Sequence, residues 1–340
     1  MIKSSVKPLA RIPTWAKRAI PIGVSALILF YYFHRQNWGL LWSAVTRANF
    51  MLAVLAVLIP QLVFWFFEVL VVERHVRWFH GPFPFRTFFW VRGAIYLLII
   101  VNPSLGIGGV LIYLWRKARI TWSKLWGMVF FRYGLLLWGI CVLLVPTTIA
   151  MCCYGLSQHT RIGIWIWWGL MIFGLYWLIE AWLYWHHNRR FGIGTLVVHN
   201  PNQEFWTAFR LATRKQWWLT WAMEIPPFLL FLTGIYCLSL AFEVRIPFLR
   251  FIVFSPLVVA ITDLPIAFAG FGSTTLAFSV FFKEYGSAEA IAALTLFLPF
   301  ARATFRVLIG LVSLRSALLD INTLLQRPST EADETTVPRE

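Results

Sequence analysis

Acidic residues are scarce in this chain: 14 Asp and Glu stand against 30 Lys and Arg in 340 residues, a formal net charge of +16. Charged residues of both signs make up only 13% of the sequence. That is about half the usual share of a soluble domain, too little to coat a water-facing surface. Cysteine is also sparse, with Cys141, Cys152, Cys153 and Cys237. Adjacent Cys152 and Cys153 have poor geometry for a mutual bridge, and the spacings fit neither a disulfide framework nor a zinc site. No paired carboxylates, Ser-His-Asp set or Cys-His set stands out, so neither an enzyme nor a bound cofactor is expected. His186, His187 and His199 have no acidic partner nearby in sequence, and adjacent histidines rarely chelate one metal. Runs that alternate polar and apolar residues are missing too, which excludes a membrane β-barrel.

What the chain holds is apolar sequence. It is 59% hydrophobic, with a mean hydropathy of +0.70. Several runs reach the roughly 20 residues that cross a bilayer. The expected fold class is an all-α integral membrane protein of six to eight membrane segments. About six are full transmembrane helices and two are broken segments. The spans fall at 18–33, 48–72, 93–113 (broken), 125–150, 162–185, 217–241, 248–270 (broken, with 274–285 continuing it) and 288–319. One membrane domain, 18–320, then sits between a basic cytoplasmic N-terminus, 1–17, and a polar tail, 321–340, that lacks any apolar period and is expected to be disordered. The first span could mimic a signal peptide, but it lacks a small-x-small cleavage site and reads as a retained helix.

Aromatic side chains are abundant, with 20 Trp, 10 Tyr and 31 Phe. Trp165, Trp167, Trp168, Trp182 and Trp185 bracket one span as an interfacial belt would. The connectors 73–92 and 203–216 are basic and aromatic, and read either as helices lying in the interface or as solvated links. A basic surface without a soluble domain points to anionic lipid as the partner, with no role for nucleic acid.

The two broken segments carry the most information. Residues 93–113 are interrupted by Asn102-Pro103, followed by Gly106, Gly108 and Gly109. Residues 248–285 are interrupted by Asp263-Leu264-Pro265, followed by Gly270 and Gly272. Pro103 and Pro265 remove backbone donors and act as candidate hinges. Such breaks survive in a bilayer only where protein or a wet cavity receives the freed groups. A pair of them in corresponding positions points to a transporter's binding site. A half-helix that starts after each glycine group would offer free N–H groups to a phosphate.

Charge bookkeeping orients the segments. Arg74, Arg77, Arg86 and Arg92 precede the first break, and Arg116, Lys117, Arg119 and Lys124 follow it. Both groups favour the cytoplasm. One full crossing between them would put one group outside, whereas a re-entrant hairpin keeps both inside. Continuing the alternation makes 248–285 a hairpin that enters from the other face, an inverted pair, with both termini cytoplasmic. Two proline-kinked full spans are the competing reading.

Charges at membrane depth are costly and mark function. Asp263 lies inside the second break, and Arg302 and Arg306 share one helical face at spacing i, i+4. Pairing of Asp263 with one arginine would leave the other to meet an anionic head group; a closed ion pair that holds hairpin to helix is the structural reading. Arg92 opens the first break. Glu68, Glu180 and Glu224 are expected to snorkel toward the interface.

The segments Arg92-Gly-Ala-Ile-Tyr96, Asn102-Pro103, Gly106-x-Gly108-Gly109, Trp115-Arg116-Lys117 and Thr121-x-Ser123 resemble the first hairpin region of the lysylphosphatidylglycerol synthase transmembrane-region family. Leu264-Pro265, Gly270-Phe-Gly272, Tyr285-Gly286-Ser287-Ala288 and Arg302 resemble its second hairpin region, and the likeness extends over most of residues 20–320. The resemblance implies a multi-pass protein of the bacterial inner membrane with a flippase-like fold. It implies substrate-binding roles for Arg92, Asp263, Arg302, Arg306, Gly106, Gly108, Gly270 and Gly272. No counterpart of the family's lysyl-transfer domain is present here, so lipid synthesis is not expected. Family hairpins commonly carry an acid near the glycine pair; here Val110 and Thr275 stand there. The expected function is passage of a lipid with a polar, anionic head group. The alternative is a non-catalytic membrane subunit that keeps the fold as a scaffold, with a homo-oligomer or another membrane protein as partner.

Overall fold

Long apolar runs become helices in hydrocarbon because backbone N–H and C=O groups find partners only in each other. The computed structural model describes residues 38–101, 103–153, 161–187, 198, 200–262 and 271–325, and among them every α-helix or 3-10 turn is accompanied by no strand. The α-helices are α1 (Trp38–Arg47), α2 (Phe50–Phe79), α3 (Phe85–Val101), α4 (Pro103–Ala118), α5 (Trp122–Cys153), α6 (Arg161–His187), α7 (Thr207–Leu211), α8 (Arg214–Ala241), α9 (Phe248–Thr262), α10 (Phe271–Phe281) and α11 (Ala288–Leu325). A 3-10 turn, Glu204–Trp206, precedes α7. Among the described residues, three helices are long and apolar enough to cross a membrane: α2, α8 and the Ala288–Ile321 part of α11. The described residues are thus all-helical, and three of their helices could span a membrane.

Local chemistry fixes the helix ends. Asn49 Oδ1 accepts the Leu52 N–H at 3.1 Å and starts α2. Gly81, with φ of +118°, ends its last turn in a conformation that side-chain-bearing residues avoid. Thr213 and Gln216 form a reciprocal capping box ahead of α8, with bonds of 2.8 and 3.3 Å. Ser287 Oγ accepts the Ala290 N–H at 3.1 Å at the start of α11.

The helices fall into two compact units. One comprises the chain up to Ala53 together with Tyr236–Phe300; the other comprises Val54–Ile235 and the chain from Ala301 onward. In the first unit α9 and α10 fold back on each other, with Phe251 stacked on Phe282 at 6.1 Å and Phe254 on Phe281 at 5.5 Å. The Arg245 N–H donates to the Tyr285 carbonyl at 3.0 Å, so the links that flank this hairpin meet at one end.

In the second unit α3 and α4 form a hairpin about the Asn102-Pro103 break. Gly106 packs on Ile99, Gly109 on Leu98 and Ile95, and Tyr113 stacks on Phe88 at 5.9 Å. Pairs whose numbers rise on one side and fall on the other mark antiparallel helices. Around the hairpin runs a core that includes Val69, Val76, Phe88, Tyr96, Leu114, Leu125, Phe131 and Trp217.

The two expected connectors, 73–92 and 203–216, are partly helical. Residues 73–79 continue α2, and their polar groups find partners within it and on α8. Arg77 pairs with Glu73 one turn away at 2.5 Å, and His75 is buried with Nε2 at 2.9 Å from Thr220 Oγ1. Residues 203–216 bury one side and expose the other, with Gln203, Glu204, Arg210, Arg214 and Lys215 exposed. Trp206 and Phe209 are buried, and Phe209 packs edge-on against Phe131 at 5.1 Å. The turn sits against α5 so closely that a methyl group on Gly127 would overlap the Phe205 carbonyl oxygen.

Candidate functional site

Buried ion pairs lie among the apolar helices of the second unit. Arg92 on α3 is 6% exposed and donates through Nη2 to Glu68 Oε1 on α2 at 2.5 Å. The Tyr96 hydroxyl donates to the other carboxylate oxygen of Glu68 at 3.2 Å. The same ring lies beneath Arg92, with Cζ 4.8 Å from its centre, and Arg306 Cζ of α11 is 5.9 Å from that centre. One phenol therefore joins three helices. A second pair links Arg132 Nε on α5 to Glu224 Oε1 on α8 at 2.5 Å, both side chains being largely buried. The Arg132 charge also acts on Glu68, so the two pairs share one field.

Burial makes these pairs consequential. A desolvated guanidinium is tolerated when its carboxylate and further hydrogen bonds are in place. Arg92 satisfies that through Glu68, yet its Nη1 is buried with no hydrogen-bond partner among the described residues. A donor of this kind, at a cation site within apolar helices, is suited to hold an anion's oxygen.

The sequence-derived candidates are placed as follows. Arg92 and Arg306 meet at Tyr96. Arg302, one turn earlier on α11, lies over the Phe231 ring with Cζ at 4.8 Å. Asp263, Pro265 and Gly270 lie outside the described residues, so the Asp263–arginine pairing is not seen. Gly272 falls in the first turn of α10. Pro103 opens α4, and Gly106 and Gly108 lie within that helix. The half-helix thus starts before the glycines, and Gly108 has its N–H in the helical ladder rather than free for a phosphate. Gly106 serves close packing on Ile99, whereas a methyl group on Gly108 would meet nothing within 4 Å.

Glu68 and Glu224 do not snorkel. Each is held inside by a guanidinium from another helix, and Glu180 is buried as well. Their position at apolar depth was visible in sequence, but partners 24 and 92 residues away were not. In sequence Tyr96 stands only within the Arg92-Gly-Ala-Ile-Tyr96 motif, which assigns it no partner. A smaller cluster ties the hairpin's outer end to α11, where Tyr113 Oη and Lys117 Nζ reach Asp320 at 2.8 and 2.5 Å.

Among the described residues, no group of three His, Cys, Asp or Glu side chains could hold a metal ion. His186 lies flat on Trp182 at 4.1 Å. Compared with known proteins, the chain matches no family model, no curated protein and no solved structure.

Proposed function

We propose that this chain is a flippase-like membrane transporter that moves a lipid with a polar, anionic head group across a bilayer. The observation that carries the reading is the Glu68–Arg92–Tyr96–Arg306 cluster inside helices of membrane-grade sequence. Buried cations of this kind are expensive in hydrocarbon and lie along substrate paths in transporters. The hairpin formed by α3 and α4 supports it, since backbone breaks in a bilayer belong beside polar cavities. So does the resemblance to the lysylphosphatidylglycerol synthase transmembrane region, in which Arg92, Asp263, Arg302 and Arg306 would meet the head group. In this reading the protein has about six full spans and two hairpins in inverted arrangement. Its termini face the cytoplasm, its home is a bacterial inner membrane, and no bond is made or broken.

Reconstitution tests it. Liposomes that hold the wild type should scramble or flip a fluorescent phosphatidylglycerol, and the double variant Arg302→Ala/Arg306→Ala should lose that flux while melting like the wild type. Equal leak through both sinks the head-group role. One observation favours the scaffold alternative: at the position of the missing hairpin acid, Thr275 donates to Thr295 Oγ1 at 3.1 Å. Extraction in mild detergent with a stoichiometric membrane partner, and no flux by the wild type, would establish that alternative.

A further inference from the structure

Helix α5 carries three glycines whose surroundings differ. At Gly127 and Gly139 a methyl group would collide with the Phe205 carbonyl and the Trp221 indole, so close packing explains both. At Gly134 it would meet nothing within 4 Å. A glycine inside a helix is less favourable than alanine, and no neighbouring group requires this one. Gly134 instead forms the wall of a cavity of about 210 Å³ within the second unit, lined also by Phe131, Tyr133, Leu137, Phe209 and Trp217. Apolar cavities of about 150 Å³ already accept a benzene ring, so this one holds a longer stretch of hydrocarbon. Tyr133 and Leu137 of α5 are exposed at its edge.

The ends of the lining helices say which lipid. Phe131 lies about two helical turns from Lys124, and Trp217 lies about one turn from Arg214. Arg210 lies in the last turn of α7, beside Phe209. A chain seated in the cavity would therefore reach the surface among cations. Trp217 is 4% exposed, and its indole N–H has no hydrogen-bond partner among the described residues. It is the donor that an ester carbonyl at the top of an acyl chain would take.

We infer that the cavity walled by Gly134, Phe131, Phe209 and Trp217 is a seat for one acyl chain of an anionic phospholipid. The seat stands apart from transport: it needs neither flux nor the Arg302–Arg306 face, and its test uses neither.

The test is photolabelling of the full chain in lipid nanodiscs with a phosphatidylglycerol that carries a mid-chain diazirine, read by peptide mapping. Adducts are expected on cavity residues such as Phe131 and Trp217, and also on lipid-facing Ile59 and Leu62 of α2. Gly134→Leu grows a side chain into the open space. It should cut cavity adducts about tenfold, equivalent to about 1.4 kcal/mol, and leave those on α2 unchanged. Gly134→Ala, which favours the helix, should keep or raise the melting temperature and reduce the cavity adducts partway, so the outcome does not hang on how the leucine variant folds. A phosphatidylcholine probe with the same chain should label the cavity less. Cavity adducts that are absent, or unchanged in both variants, overturn the seat. Equal labelling by the two head groups overturns its preference for anionic lipid.

Discussion

At the scale of single residues, the Arg132–Glu224 pair is held where neither charge could stand alone. Removing one partner of a buried pair leaves an uncompensated charge and costs about 3–5 kcal/mol, whereas replacing both with apolar groups is often neutral. Glu224→Gln should therefore lower the melting temperature of the solubilised protein sharply, and Arg132→Met/Glu224→Leu should recover most of the loss. A double variant as unstable as the single one would mean that the pair does more than neutralise itself. His80, just past α2, gives a pH signature. Burial first, and the Lys124 charge second, push its pKa from the ordinary 6.5 down to about 4. The folded state thus resists protonation that the unfolded state accepts. This contribution is absent above pH 6.5, and stability falls as pH drops from 6.5 toward 4. His80→Gln should flatten that fall, which thermal melts across the window would measure. Much of this scale was legible only as a question. Sequence placed Glu68 and Glu224 in apolar runs and Arg92 at the edge of one, but the identity of each partner depends on which helices touch, and nothing in the local spacing encodes that.

At the scale of elements, glycine marks where helices come close. Helices in a bilayer associate through packing of small residues, since lipid tails are as apolar as leucine. Gly93 of α3 faces Ser313 of α11, Gly310 of α11 faces Leu97 of α3, and Gly234 of α8 approaches the Ala56 carbonyl of α2. Gly127→Ala should be the most damaging of the alanine series, because the atom it meets is the Phe205 backbone, which cannot rotate away. Overpacking there should cost about 1–3 kcal/mol. Gly108→Ala, facing open space, should be neutral or stabilising by about 0.5–1 kcal/mol. Urea or thermal unfolding of the two variants against wild type checks the order, and equal effects would refute it. Helix existence was readable from apolar length and the break from Asn102-Pro103, but the boundaries were not. The α3 helix starts at Phe85 rather than near residue 93, since Arg86 and Arg92 belong to it. The α2 helix runs on to Phe79 because Glu73, His75 and Arg77 find partners, which hydropathy alone discounts.

At the scale of the molecule, the arrangement of the hairpins in the membrane decides whether the transport reading stands. Helix α3 has 17 residues and α4 has 16. Each is thus about 24–26 Å long, somewhat short of the roughly 30 Å hydrocarbon core. Their antiparallel contacts, Ile99 with Gly106 and Phe88 with Tyr113, bring the start of α3 and the end of α4 to the same end of the pair. A chain that entered on one face and left on the other could not make both contacts. The positive-inside rule asks for the same result, since Arg86 and Arg92 before the break and Arg116 and Lys117 after it all favour the cytoplasm. Single cysteines at positions 86 and 118 should therefore be labelled from the same face of sealed vesicles by an impermeant maleimide. Cysteines at 246 and 286, which flank the other hairpin where Gly286 meets Val244, should share a face with each other. The inverted arrangement requires more: the second pair must react from the face opposite the first. If 86 and 118 label from different faces, the α3–α4 hairpin does not survive in the membrane. If all four positions label from one face, the hairpins are not inverted, and alternating access of a head group loses its structural basis.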